Sequence, residues 1–276
     1  MEADRLRAEI DRLGPWLHAI ELMPGVSTAT IGQASGSGEG AVREVYSPER
    51  MMSGLIGRLY PAGMQGRSFL DCGCNAGGHM FAARQMGAGR CFGFDARQHW
   101  IDQANFLAGY LPSDDIGFAA CELSDLPGIG LEPFDVTLFS GLFYHLPDPV
   151  AGLKIAADLT RELIVVNTSA LHRTEKALML SLESDSHVLS GIDGLAWLPT
   201  GPEVVQDILA WCGFPHSRID LDWPYGPPGW RRIQVVAARE LDAFAHYDRA
   251  WPEASRPARR SLKERLRRRL AAKLGF

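Results

Sequence analysis

Residues 69–80, FLDCGCNAGGHM, constrain the fold of this chain more than any other stretch. The run Ser68-Phe69-Leu70 leads into Asp71, then Gly73, Gly77 and Gly78, and a second apolar run begins at Met80. That order predicts a buried parallel strand, a tight turn and the start of a helix. Glycines suit such a turn because they accept positive φ and let a ligand approach the backbone. Free N–H groups at the helix start favour electron-rich groups. A dinucleotide fingerprint, G-x-G-x-x-G from Gly73, would need glycine at positions 75 and 78. Position 75 is Asn75, so a nicotinamide oxidoreductase is the least supported reading. A turn of this kind also occurs in α/β proteins of many other functions.

The chain has 276 residues, enough for one substantial α/β domain with additions. Hydrophobic residues make up 46% and charged residues 22%, the ordinary balance of a soluble globular protein. No apolar run approaches the ~20 residues of a membrane span. The charged start, MEADRLRAEI, lacks an apolar signal region, so a cytoplasmic location is expected. Five cysteines, an odd number, argue against a disulfide framework and for a reducing compartment. Cys72 and Cys74 have no second pair at zinc spacing, so no metal site is expected there. The net charge of −5 is unevenly spread: residues 256–276 carry nine of the 28 Lys and Arg and one acid, Glu264. Without them 19 basic residues face 32 acidic ones, a net of −13. An acidic body is a poor match for a phosphate backbone.

Along the chain, Leu6, Ile10 and Leu13 share a helical face over residues 2–13, and Gly14-Pro15 stops that helix. An apolar extended segment follows over residues 16–32, carrying His18 and Glu21. Residues 33–41 are rich in Gly and Ser. Ser47-Pro48 predicts an N-cap for a helix striped with Met51, Met52, Leu55, Ile56 and Leu59. Residues 1–66 therefore read as a helical lid before the core. Strands are then expected at 68–72, 90–94, 116–120, 134–140, 162–167, 216–221 and 231–238, with helices at 79–86, 97–110 and 149–159. Alternation of this kind predicts a parallel, doubly wound sheet over residues 67–240. Residues 168–198 read as an irregular insertion over the strand ends. Thr200-x-x-Glu203 reads as a capping box for a helix stopped at Gly213. The loop LDWPYGPPGW reads as a rigid turn. The C-terminal segment, 241–276, places Leu262, Leu266, Leu270 and Leu274 on one stripe of a cationic helix. That helix could dock on the acidic body or a partner subunit, bind tRNA, or touch an anionic membrane surface.

The spacing D-x-G-x-x-x-G, on Asp71, Gly73 and Gly77, resembles motif I of the class I S-adenosylmethionine (SAM) methyltransferases. Further elements arrive in order. Asp95 closes the second strand, 24 positions after Asp71. An acid there can accept both ribose hydroxyls of a nucleoside, or cap the next helix. CELSDLP, residues 121–127, resembles the segment that frames adenine in that family, with Glu122, Leu123 and Ser124 in its places. Strand four runs into SGLFYHLPDP, which puts Tyr144 and His145 at a carboxyl end, where such sheets do chemistry. The resemblance thus implies a Rossmann-like seven-stranded fold and SAM contacts at Asp71, Gly73, Cys74, Asn75, Gly77, Asp95, Ala96, Glu122, Leu123, Ser124, Ser140 and Tyr144.

LDCGCNAGGHM, FGFDARQ, FSGLFYHLPDP and AWLPTGPEVVQDILAWCGF together are similar to the bacterial wobble-uridine tRNA methyltransferase-like family. That family includes the 5-carboxymethoxyuridine tRNA enzyme, and the resemblance runs from about Gly14 to Ala238. Carried over, Asp95 binds ribose. In the tRNA enzyme the residues matching Tyr144 and Arg232, with a lysine before a Gly-Pro pair, read an extra carboxylate on the cofactor. Here Leu13 stands before Gly14-Pro15. Losing that cation removes a contact worth roughly 1.5–3 kcal/mol, so ordinary SAM is expected rather than carboxy-SAM.

SAM carries an activated methyl, so an enzyme must position the acceptor and, for a hydroxyl, remove a proton. His145 has the pKa and location of a general base, or it hydrogen-bonds backbone. Tyr144 is expected to line the methyl channel. Arg232 either orients an acidic substrate or pairs with a carboxylate. His18 and Glu21 form a second candidate pair for substrate contact. The leading expectation is O-methylation of a small hydroxylated molecule, a sugar or natural product. A tRNA wobble-uridine modifier and a non-catalytic SAM-binding protein are the alternatives, and a homo-oligomer is compatible with each.

Overall fold

The computed structural model describes residues 2–28, 32–34, 43–45, 47–183 and 190–250. The basic C-terminal stripe expected over residues 256–276 lies outside them.

Seven strands build the central sheet: β1 (Phe69–Cys72), β2 (Cys91–Asp95), β3 (Ile116–Ala120), β4 (Phe134–Ser140), β5 (Thr160–Leu171), β6 (His216–Pro224) and β7 (Trp230–Ala238). Their spatial order is β6-β7-β5-β4-β1-β2-β3. β1 to β5 pair in parallel, whereas β7 is antiparallel to both β5 and β6. The sheet is therefore mixed rather than wholly parallel. The reason is the short connection over residues 225–229, which cannot make a parallel crossover of a dozen or more residues. Strand order reverses between β1 and β4, and such a switch point opens a crevice at the carboxyl ends.

Helices cover both faces. They are α1 (Glu2–Leu13), α2 (Pro48–Leu59), α3 (Gly78–Gln85), α4 (Gln98–Ala108), α5 (Pro149–Asp158), α6 (Pro202–Trp211) and α7 (Ala245–Ala250). β1 is buried at all four positions, as a central strand covered twice must be. Phe69 joins the core formed with Met52, Leu55, Ile56 and Leu59 of α2. Leu70 and Cys72 join the opposite core with Leu153 of α5 and Val205 and Leu209 of α6. Ser47 Oγ accepts the Arg50 N–H and Pro48 opens α2, as the sequence predicts.

The lead-in divides into two parts. α2 is a layer of the main core. α1 packs Leu6 and Ile10, with Trp16, against Phe81 and Leu107. Gln103 Nε2 of α4 donates to the Leu13 and Pro15 carbonyls at 2.7 and 2.9 Å, fastening the end of α1.

Residues 168–198 are more regular than expected. β5 runs on to Leu171 because residues 168–171 find a ladder against Trp230–Ile233 of β7. Leu178–Leu182 and Leu195–Pro199 then form an antiparallel hairpin at the rim of the sheet. Thr200 does not cap α6, where Gly201 holds the cap position with no side-chain bond. Its hydroxyl accepts the Ala177 N–H at 2.8 Å and donates to the Glu175 carbonyl, tying the base of the hairpin.

The β1–α3 turn needs glycine at Gly77 for two reasons. Its φ is 74°, and an added Cβ would sit 2.6 Å from the Phe118 ring. Gly77→Ala is expected to cost about 2 kcal/mol or more, from the left-handed backbone and the displaced ring. Urea denaturation checks this; an unchanged midpoint would contradict it.

Candidate active site

The turn after β1 is sealed onto the end of β2. Cys74 N–H donates to the Phe94 carbonyl at 2.8 Å, and Asn75 N–H donates to Asp95 Oδ2 at 3.1 Å. Asn75 takes a φ of 50° and accepts the Ala76 N–H on its own Oδ1; Asn tolerates this conformation. Cys74 is wholly buried with its thiol pushed well above the ordinary value, first by burial and then by the Asp71 charge. It offers the cleft its backbone alone.

Asp71 does not face the cleft. It is 1% exposed, and its Oδ2 lies 3.1 Å from His79 Nδ1. It braces α3 from beneath the turn, a correction to its expected place among the cofactor contacts. His18 of the lead-in stacks edge-on against His79 at 5.1 Å between centroids. Gly78 makes room for this: an added Cβ would lie 2.8 Å from His18 Nδ1 and 2.5 Å from Pro48 Cγ. His18 is therefore a packing group of the turn. Glu21 is exposed, its Oε1 accepting the Gly25 N–H, so the two are not a substrate pair.

Asp95 is the buried acid at the rim. Its Oδ1 accepts the Arg97 N–H and its Oδ2 the Asn75 N–H, each at 3.1 Å. Burial pushes its carboxyl above the ordinary range, against the pull of those two N–H donors. Each oxygen keeps a lone pair for a further donor. Two vicinal hydroxyls, each donating, fit that need, so this pair of acceptors suits a ribose. Ala96 is exposed beside it.

After β3, Glu122 accepts the Asp125 N–H while Asp125 accepts that of Glu122 at 3.1 Å, a reciprocal cap. Burial and then the charges of Asp193, Asp125 and Asp95 raise the Glu122 carboxyl. Ser124 is exposed. Leu123 is buried and packs toward Gly152 of α5. The rim between β2 and β3 is thus acidic, which suits a cationic sulfonium.

β4 ends at half-buried Ser140, and a single 3-10 turn, Phe143–His145, presents Tyr144 and His145. Their rings lie 3.9 Å apart. The guanidinium of Arg232, on β7, lies 5.8 Å from the Tyr144 ring. Arg232 donates to Asn167 Oδ1 and, at 3.3 Å, to Ser169 Oγ. Among the described residues it pairs with no carboxylate. Behind it runs a buried chain: Asn167 donates to Gln234, Gln234 to Asp220, and Asp220 also accepts from Tyr247 and Arg58.

His145 Nδ1 bonds Glu183 Oε2 at 2.7 Å, not backbone. Burial, then the charges of Arg97 and Arg232, hold this imidazole below its ordinary value, although Glu183 pulls the other way. The balance favours the neutral ring. The sequence reading missed Glu183, Arg97 and Asn167. Arg97 stood inside FGFDARQ and Asn167 closed the apolar run of β5, both visible signals. Glu183 had none, because only the hairpin's closure brings it to β4.

Fold and cleft define a class I methyltransferase. The chain belongs to the family described as "Methyltransferase domain", whose model matches residues 64–205, just over half of it. It is 26% identical over 189 residues to a tRNA U34 carboxymethyltransferase of Campylobacter lari, covering 67% of this chain and 62% of that one. It is 24% identical to a ubiquinone biosynthesis O-methyltransferase of Neisseria meningitidis, covering 46% and 54% respectively. The chain thus spans less than two thirds of these relatives. The N-terminal domain of EvdMO1, solved in the presence of SAH and D-fucose, superposes with a TM-score of 0.67 at 18% identity, covering 87% of this chain and 98% of that one. No described helix is long and apolar enough to cross a membrane.

His18 gives the fold a pH dependence. Burial, and the nearby His79, hold its imidazole well below the ordinary value. The folded state keeps it neutral, while the unfolded chain binds a proton near pH 6.5. Its contribution to stability is therefore present above about pH 6.5 and lost as pH falls toward the folded value. Thermal midpoints of His18→Gln are expected to fall less steeply than wild type between pH 7 and 5; parallel curves would contradict this.

Proposed function

We propose that this protein is a SAM-dependent methyltransferase that methylates a hydroxyl of a small molecule, a sugar or natural product. The observation that carries the reading is His145: a largely buried imidazole on the turn after β4, bonded to Glu183 at 2.7 Å and set beside an acidic rim. SAM, when bound, supplies a methyl on a sulfonium already activated for in-line attack. Asp95 would hold its ribose, with the backbone of Gly73 to Gly77 and the Glu122–Ser124 segment beside it. His145 would take the proton that the acceptor hydroxyl gives up. A base of this kind is worth roughly 10²–10⁴ in rate. Tyr144 walls the reacting centre, and Arg232, aimed by Asn167 and Ser169, orients an acceptor bearing negative charge.

Ordinary SAM is the cofactor in this reading. Leu13 packs against the core of α1, so no side-chain cation arises at that position to meet a carboxylated cofactor. An acidic body offers few cations to a phosphate backbone, which favours the small-molecule reading. The second reading, tRNA wobble-uridine carboxymethylation or methylation, is favoured by the name of the Campylobacter lari relative and the basic tail.

Asp95→Asn is expected to weaken binding of S-adenosylhomocysteine by about 10- to 100-fold in calorimetry, the loss of charge on two hydrogen bonds. An unchanged affinity would overturn the cofactor assignment. In assays with methyl-labelled SAM and a panel of hydroxylated sugars, His145→Gln is expected to keep cofactor affinity and lose about 100-fold in transfer rate. Affinity for unfractionated tRNA is expected to be weak and nearly flat with salt; a steep log–log slope with transfer to tRNA would favour the second reading instead.

A further inference from the structure

We propose that Glu183 is the positioning residue of His145, fixing the imidazole in the tautomer whose Nε2 is free to take a proton. This rests on the reading of His145 as the base. Glu183 Oε2 lies 2.7 Å from His145 Nδ1. An ionised carboxylate only accepts, so Nδ1 carries the hydrogen. A neutral imidazole has one N–H, which leaves Nε2 as the lone pair.

The carboxylate is itself held. The same oxygen accepts the Gly191 N–H at 2.9 Å, and the Glu183 N–H donates to the Gly194 carbonyl at 2.9 Å. Arg97, just past β2, donates to the Ser190 carbonyl, which ties the segment ahead of the hairpin's returning strand to the Asp95 side of the cleft. Packing at Gly191 leaves no slack. A Cβ there would lie 3.0 Å from His145 Cβ and 3.1 Å from Glu183 Oε2. The side chains of His145 and Glu183 are 13% and 19% exposed, so water screens this pair far less than a surface pair. An acceptor at the end of a hairpin strand and a base on the turn after β4 are thereby joined by one short bond.

The charged groups facing His145 are Glu183, Arg97 and Arg232. Glu183 is the one that favours the protonated ring, so neutralising it must lower the titration midpoint further. Long-range ¹H–¹⁵N spectra of the full chain saturated with S-adenosylhomocysteine test this, with the ring assigned by its loss in His145→Gln. The wild type is expected to show Nδ1 protonated and Nε2 bare at neutral pH. In Glu183→Gln the midpoint is expected to drop by about half a pH unit or more, with cofactor affinity within twofold of wild type. In Glu183→Ala both tautomers are expected. A wild-type ring protonated at Nε2, or an unmoved midpoint in Glu183→Gln, would overturn the proposal. The wild-type spectrum decides even if a variant fails to fold. No transfer to any hydroxylated acceptor, with Nδ1 still protonated, would sink the O-methylation reading alone.

Discussion

Two hydrogen bonds hold the site together: Cys74 N–H to the Phe94 carbonyl, and Asn75 N–H to Asp95. They lock the turn after one strand onto the end of its neighbour. Parallel strands place their carboxyl ends side by side, and these cross-links tie the loops beyond them together. Because the second bond engages part of the Asp95 carboxylate, the turn and this acid are set jointly. The glycine constraint at Gly77 and the packing of His18 over His79 serve the same end from the opposite side of α3.

Much of this was legible in the sequence because it is local. The strand–turn–helix at 69–80, the acid closing β2 and the aromatic pair after β4 are each dictated by a few contiguous residues. What was not legible is non-local. Residues 168–171 lack an apolar pattern, yet they become strand because β7 offers them a ladder. Thr200 fits a capping box by spacing, but the hairpin base reaches its hydroxyl first. Asp71 matches a motif position, yet its carboxylate is taken by His79 two turns of chain away. Glu183 sits in LMLSLESDSH with nothing nearby to mark it, and gains meaning only from a pairing that folds it back 38 positions onto His145.

The electrostatics of the cleft divide along the sheet. Asp95, Glu122 and Asp193 make the side of β2 and β3 negative, where a cationic cofactor belongs. Arg232 makes the side of β7 positive, and Arg97 stands between them. His145 lies at the boundary, with Glu183 opposing two guanidinium groups. A proton leaving an acceptor hydroxyl would thus move onto a ring whose new charge meets a waiting carboxylate.

The chain of bonds behind Arg232 has a consequence of its own. From Arg232 through Asn167 and Gln234 it ends at Asp220, which also grips Arg58 of α2 and Tyr247 of α7. The aim of one guanidinium at the mouth is therefore inherited from three layers of the scaffold. No described residue of the rim hairpin takes part in that relay. Natural divergence can vary the hairpin strands to suit new acceptors, provided Glu183 is kept, while the arginine keeps its bearing, which makes the two walls of the cleft separable units of evolutionary change.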